Sequence, residues 1–194
     1  MCENVESTAV SIIGNETMES ILKRRSIRLY KPEMPTDAEM DTVLSAALYA
    51  PSARNFQPNH VRVVKDKALL DELNKDFKAF VGENTPAYTG WQEQPFYHDA
   101  PVFAMIFGDR ENHYTPVDAG IMVENMAVAA QSVGLGSCII GCIGTFMNSP
   151  EGAKWRERFD VPENCDFMIG ITLGYADEAP EMKPRYEDRI EEVL

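Results

Sequence analysis

Basic residues are scarce in this chain: 18 lysines and arginines stand against 31 aspartates and glutamates, a formal charge of −13 over 194 residues. Such a surface repels polyanions, which excludes a general nucleic-acid or anionic membrane-surface role. Cysteine is sparse too. Cys2, Cys138, Cys142 and Cys165 show no CxxC spacing, and His60, His98 and His113 are scattered. Neither a zinc site nor a disulfide framework is predicted, which suits a reducing cytosol. No GxGxxG pattern occurs, so there is no Rossmann fingerprint. No uncharged apolar run reaches the length of a membrane span. Residues 1–18 carry acid where a signal peptide carries base. A soluble, cytoplasmic chain is expected, with no membrane and no nucleic-acid partner.

What is present is enough apolar content, 44%, to bury the core of one domain over residues 1–194. Residues 1–15 read as an irregular leader and 176–194 as an acidic C-terminal extension. A helix starts near Asn15 and carries Met18, Ile21 and Leu22 inward. Thr36-Asp37-Ala38-Glu39 is a capping box ahead of Met40, Val43, Leu44, Ala47 and Leu48 at helical spacing, and that helix ends before Pro51. Val61–Val64 reads as a strand and Ala68–Phe80 as a helix. Residues 82–99 have no regular period and carry Tyr88, Trp91, Phe96 and Tyr97, as a functional lid or a mobile loop would. Pro101–Gly108 is a continuous apolar run, hence a strand covered on both faces. Asp118–Val133 is apolar on nearly every side, as a helix buried centrally or in a subunit interface is. Gly134–Gly141 reads as a strand or turn. Ser149-Pro150 is expected to open a helix reaching about Phe159, and Phe167–Leu173 alternates as a strand. Helices alternating with strands imply an α/β sandwich.

Three segments could carry chemistry. Five of the nine residues Lys23–Lys31 are basic (Lys23, Arg24, Arg25, Arg28, Lys31), against the trend of the whole chain. With Lys183 and Arg185 they fit a phosphate clamp, and by spacing alone they fit a solvated helix end equally. In Pro51–Pro58, Ser52, Asn55 and Gln57 offer donors and acceptors suited to a planar, amide-like edge such as a pyrimidine or flavin ring. A polar turn between helix and strand is the commoner reading of such a segment. Glycines in Gly134–Gly141 would let backbone approach a ligand, or simply pack in a core strand. Cys138 and Cys142, among isoleucine and glycine, read as inert core thiols. Ser52 has no fixed His or Asp companion, so no catalytic triad is supported.

Taken in order along the chain, these segments resemble the nitroreductase family of flavin enzymes. The resemblance runs from Ile21 to Arg185. It rests on Arg24-Arg25-Ser26-Ile27-Arg28, Ala50-Pro51-Ser52-Ala53-Arg54-Asn55-Phe56-Gln57-Pro58, Gly134-Leu135-Gly136-Ser137 and Lys183-Pro184-Arg185. It implies an α+β fold, a three-layer α/β/α sandwich around a mixed, mostly antiparallel sheet, in an intertwined homodimer with FMN at each of two interface sites. Arg24, Ser26, Lys183 and Arg185 would take the phosphate and ribityl side, with Arg25 also among the cofactor-binding residues. Arg28 would face the N1/O2 edge of the ring. Pro51, Ser52, Ala53, Asn55 and Gln57 would come from the other subunit, and Ile140 and Gly141 would lie against the ring.

No side chain is implied as catalytic: flavin N5 carries the chemistry and Arg28 tunes it. Hydride would pass from NADH or NADPH to nitroaromatic, quinone or related small acceptors by a ping-pong mechanism. Two alternative readings stand beside it: a flavin enzyme of the same fold with different chemistry, reductive dehalogenation or flavin fragmentation, and, from a different class, a flavin-binding sensor or regulator without turnover. Two departures from the family stand out. Asn59 follows Gln57-Pro58 where many relatives have Trp, and Arg54 places a charge that reaches either the active site or solvent. No ferredoxin-type cysteine cluster is present, which excludes the iron–sulfur-fused branch.

Overall fold

A computed structural model describes residues 13–82, 94–186 and 189–193. Helix α1 (Glu16–Lys23) starts where Asn15 accepts the Met18 amide at 3.0 Å, with Glu16 and Glu19 in the first turn and Lys23 in the last. It lies on the helix α4 defined below. Its apolar residues are less enclosed than their spacing predicts: none is buried, and Ile21 is 44% exposed. Helix α2 (Asp37–Leu48) has the full capping box between Thr36 and Glu39 and buries Met40, Val43 and Ala47.

Strand β1 (Asn59–Val64) leads to helix α3 (Lys67–Val81), capped by Asp66, with Leu70, Leu73 and Phe77 buried. Strand β2 (Val102–Asp109) is buried at every residue but the last. Helix α4 (Thr115–Ser132) begins three residues before the expected start, because Pro116 near its first position presets a helical turn. Strand β3 (Gly136–Ile140) follows.

The next stretch departs from expectation. A short helix α5 (Gly144–Met147) precedes helix α6 (Ala153–Arg158), which Ser149-Pro150 does not open. Ser149 Oγ instead donates to Phe146 O at 2.7 Å and accepts the Gly152 amide at 3.3 Å, closing a turn. Gly152 is required there: a Cβ would lie 2.2 Å from Phe146 O. Strand β4 (Cys165–Gly174) completes one sheet, ordered β1-β2-β4-β3 and antiparallel throughout. The parallel component reduces to an isolated bridge between Ser26 and Ser137.

Alternation along β2 explains the three layers. Phe103, Met105 and Phe107 face a core of Leu70, Phe77, Phe146 and Trp155 under α3, α5 and α6. Val102, Ala104 and Ile106 face the opposite core, with Met40, Val43, Val123 and Met126 of α2 and α4. Phe96 and Tyr97 are fully buried, so the end of the aromatic stretch is core. Tyr88 and Trp91, with residues 83–93 as a whole and residues 1–12 of the leader, lie outside the described residues. Among the described residues no helix is long and apolar enough to cross a membrane.

Candidate functional site

The cationic segment is woven into the sheet. Leaving α1, the chain runs beside β3: Ile27 donates its amide to Ser137 O at 2.9 Å, next to the Ser26–Ser137 bridge. It then crosses to the residues after β4, where the Lys31 amide donates to Tyr175 O and the Asp177 amide to Leu29 O, each at 2.9 Å. Arg24 sits at the turn out of α1 with Nε 3.5 Å from Glu124 Oε1 of α4, and that Nε is buried without a hydrogen bond. Arg25 is turned back: its Nη1 donates to Leu22 O at 2.6 Å and Arg24 O at 2.8 Å, holding the carbonyl end of α1. Arg28 is exposed, with Nη1 3.5 Å from Ser26 O.

The loop 51–58 is built differently. Ser52 Oγ accepts the Gln57 amide at 2.9 Å, and Ser52 O accepts the Asn55 amide at 2.9 Å. The Ala53 amide donates to the buried carboxylate of Asp118, at 3.1 and 3.3 Å to its two oxygens. Arg54, Asn55 and Gln57 all have positive φ, at 52°, 59° and 48°. Each costs on the order of 1 kcal/mol, least for asparagine. The side chains of Arg54, Asn55 and Gln57 make no hydrogen bond or ion pair among the described residues, so their donors face outward. Around the loop stand exposed apolar residues: Leu48, Tyr49, Phe56, Tyr114 and Val117.

A single chain does not bring these two segments together. The loop enters the sheet at β1 and the cationic segment is bonded to β3, at the opposite edge and about 14 Å away across three strand spacings. Along the strands they differ again. Asn59 pairs with Gly108 and so sits level with Asp166 of β4, whereas Ser137 pairs with Leu173. Those seven residues add about 23 Å. The segments occupy diagonal corners of the sheet.

Ile140 and Gly141 share the edge of the cationic segment. The Ile140 side chain is buried in the aromatic core, leaving its backbone and the exposed Gly141 at the end of β3. Lys183 and Arg185 are exposed on the extension beyond β4, where Arg185 Nη1 donates to Lys183 O at 2.8 Å. Neither bonds to residues 24–28 within the protomer. Asn59 packs against Gly108, where a Cβ would lie 2.4 Å from Asn59 Oδ1. Burial pushes the Cys138 thiol up, and that of Cys142 up to about 11, as expected of inert thiols. No metal-binding cluster occurs among the described residues.

Several site residues escape the sequence pattern. Asp118 anchors the loop, and its one signal is an acid in the first turn of a mostly apolar helix. Glu178 accepts amides of the cationic segment from the acidic extension, whose sequence shows no regular pattern. Tyr30 OH lies 2.8 Å from Thr172 Oγ1, and burial raises its pKa well above the usual tyrosine range. His98 is buried and its pKa is lowered, by burial first and then by the nearby Arg28 cation.

The nitroreductase family model matches residues 21–175. An NADPH-flavin oxidoreductase of Vibrio harveyi is 33% identical over 177 residues, covering 88% of this chain and 70% of that protein. An iodotyrosine deiodinase of Thermotoga neapolitana is 23% identical over 176 residues, 85% of this chain and 91% of that one. Among solved structures, a nitroreductase with bound FMN from Desulfitobacterium hafniense superposes with a TM-score of 0.87. It is 29% identical, over 94% of this chain and all of that one. With the motif segments in order and the fold shared over nearly the whole length, the chain belongs to the nitroreductase family.

Proposed function

We propose that this protein is an FMN-dependent oxidoreductase, a homodimer taking electrons from NADH or NADPH and passing them to nitroaromatic, quinone or related small acceptors. The observation that carries the reading is the diagonal separation of two donor-rich segments. Each has outward donors that its own chain leaves unused, so a second copy would supply the complementary half of each site.

The residues present fit FMN. Arg24 has a buried Nε without a hydrogen bond, which a phosphate oxygen would satisfy while Glu124 steadies the guanidinium. Ser26, Lys183 and Arg185 would complete the phosphate and ribityl side, with Arg25 supporting the turn beneath it. Arg28 would stand at the pyrimidine edge. Pro51, Ser52, Ala53, Asn55 and Gln57 of the partner subunit would hold the ring, against the backbone of Ile140 and Gly141.

When bound, FMN supplies reversible hydride transfer at N5. The chain's own part is electrostatic and positional. Arg28 favours negative charge at the ring's N1/O2 edge. The loop amides orient the ring, and the exposed apolar residues around the loop would exclude water once covered by the partner. Among the described residues no dinucleotide-binding fold accompanies the sheet, and donor and acceptor would share one site in turn, a ping-pong order.

The visible spectrum of the purified protein tests this. Flavin bands that bleach on adding NADH or NADPH, and return with a quinone or nitroaromatic, are the expected result. A protein that binds no FMN overturns it, and bleaching without steady turnover would assign a sensor. The deiodinase likeness favours a second reading, reductive dehalogenation on the same fold. Halide release from an iodinated tyrosine would decide for it.

A further inference from the structure

The chain after β4 does more than pair with the cationic segment. Beyond the Asp177–Leu29 bond, Glu178 turns its carboxylate onto two successive amides, those of Arg28 and Leu29. Both bonds end on the same oxygen, Oε1, with the Leu29 amide at 3.1 Å. Successive amides aimed at one point form an anion-binding concavity. Here it is filled by a fixed negative charge from the chain itself. That charge and the Arg28 cation act on the same small volume beside β3. Glu178 raises and Arg28 lowers the proton affinity of the buried His98 imidazole, and the two act with the same signs on Cys138.

We propose that Glu178 sets the reduction potential of the bound flavin: its carboxylate oxygen holds the cationic segment in register, and its charge offsets Arg28. The inference rests on the FMN reading above. Hydride from NADH or NADPH brings two electrons and one proton to the neutral ring, giving the ring's monoanion and NAD⁺ or NADP⁺. The product carries negative charge that the reactant lacks. A cation near it favours the reduced form and a carboxylate disfavours it, more strongly in a partly buried site than in water. Arg28 alone would therefore poise the ring higher than the pair does.

The two roles separate by substitution, because both hydrogen bonds end on one oxygen. Glu178→Gln keeps a carbonyl Oε1 for both amides and removes only the charge, whereas Glu178→Ala removes both. Glu178 lies outside both cores, so neither variant disturbs packing, and thermal melts of each check this. With wild type first shown to hold FMN, potentials of the saturated proteins are compared, and oxidised FMN is titrated by fluorescence quenching. Glu178→Gln should favour the reduced ring about tenfold more than wild type, an upward shift of about 30 mV. Its affinity for oxidised FMN should stay within about twofold, since the hydrogen bonds persist. Glu178→Ala should bind oxidised FMN several-fold more weakly. An unchanged or lower potential in Glu178→Gln overturns the charge claim, as does a shift seen only in Glu178→Ala. Full affinity in Glu178→Ala overturns the holding role. A wild-type protein that binds no FMN overturns the functional reading itself and this inference with it.

Discussion

Residues 26–31 and residues 52–57 both present polar groups to the outside, and they are held by opposite means. The first run alongside β3 and then the residues after β4, where the backbone of Ile27, Leu29 and Lys31 is paired and Glu178 takes the Arg28 and Leu29 amides. The second hydrogen-bonds no strand. It turns on itself through Ser52, keeps three side-chain-bearing residues at positive φ, and is tied down by Asp118. Backbone pairing fixes the course of the cationic half within a single chain. The loop half is strained and ringed by exposed apolar side chains, as a surface completed by another copy is.

The largest effect that could break this comparison comes from subunit mixing. Arg24→Ala or Arg185→Ala alone should weaken FMN binding roughly ten- to a hundredfold, the loss of a charge-assisted contact of about 1.5–3 kcal/mol. A protomer lacking both arginines, and another lacking the Asn55 and Gln57 amides, should each lose FMN. Random co-assembly of the two should restore about a quarter of the sites, since half the dimers are mixed and one of their two sites is intact. No recovery would mean that each site belongs to a single chain.

Next in size is the anchor. Asp118→Ala removes a buried carboxylate and leaves the Ala53 amide without its partner, at a cost of about 2–3 kcal/mol. Melting temperature and FMN affinity should fall together. Arg24→Ala should lower affinity with little change in melting. If both substitutions behave alike, the contrast between a tethered loop and a backbone-paired edge fails.

Arg28→Ala sharpens the difference between holding the cofactor and tuning it. Loss of about 1.4 kcal/mol of preference for the reduced ring lowers the potential by about 30 mV, while oxidised FMN binds with modest loss. Potentiometric titration at FMN saturation measures it, and an unmoved potential would make Arg28 a surface cation.

The smallest effect is in pH dependence. Burial and Arg28 hold the His98 pKa below its ordinary value, so the fold prefers the neutral imidazole. That contribution is fully present above the unfolded pKa of about 6.5 and is lost as pH falls through the folded pKa. In His98→Asn, which tolerates the positive φ at this position, denaturant-derived stability should fall less between about pH 6.5 and 5 than in wild type. Parallel curves for the two proteins would remove His98 from this balance.

How much of this was legible in advance depends on how local the cause is. The Thr36–Glu39 capping box acts within one turn, so α2 starts where pattern places it, while the Asp66 side chain caps α3, which starts one residue before the expected Ala68. Ser149-Pro150 reads as a helix start on the same grounds. Its hydroxyl closes a turn with Phe146 and Gly152 instead, a choice made by the neighbouring helix α5. Period alone places Ile21 inward, yet its side chain is exposed on a single chain.

By itself the sequence determined the family, the alternation of elements, the doubly buried β2 run and the cationic and amide-rich segments, because each is written in residue type at short spacing. Tertiary structure alone decided where those segments stand. Strand order and register place residues 26–28 and 52–57 at diagonal corners, and no local pattern encodes strand order. It also decided that Asp118, Glu178 and His98 matter. Each meets its partner across 65, 150 or 70 positions of chain. A carboxylate or imidazole acquires its role from the amides and charges that folding sets beside it, and only the packed sheet makes those neighbours.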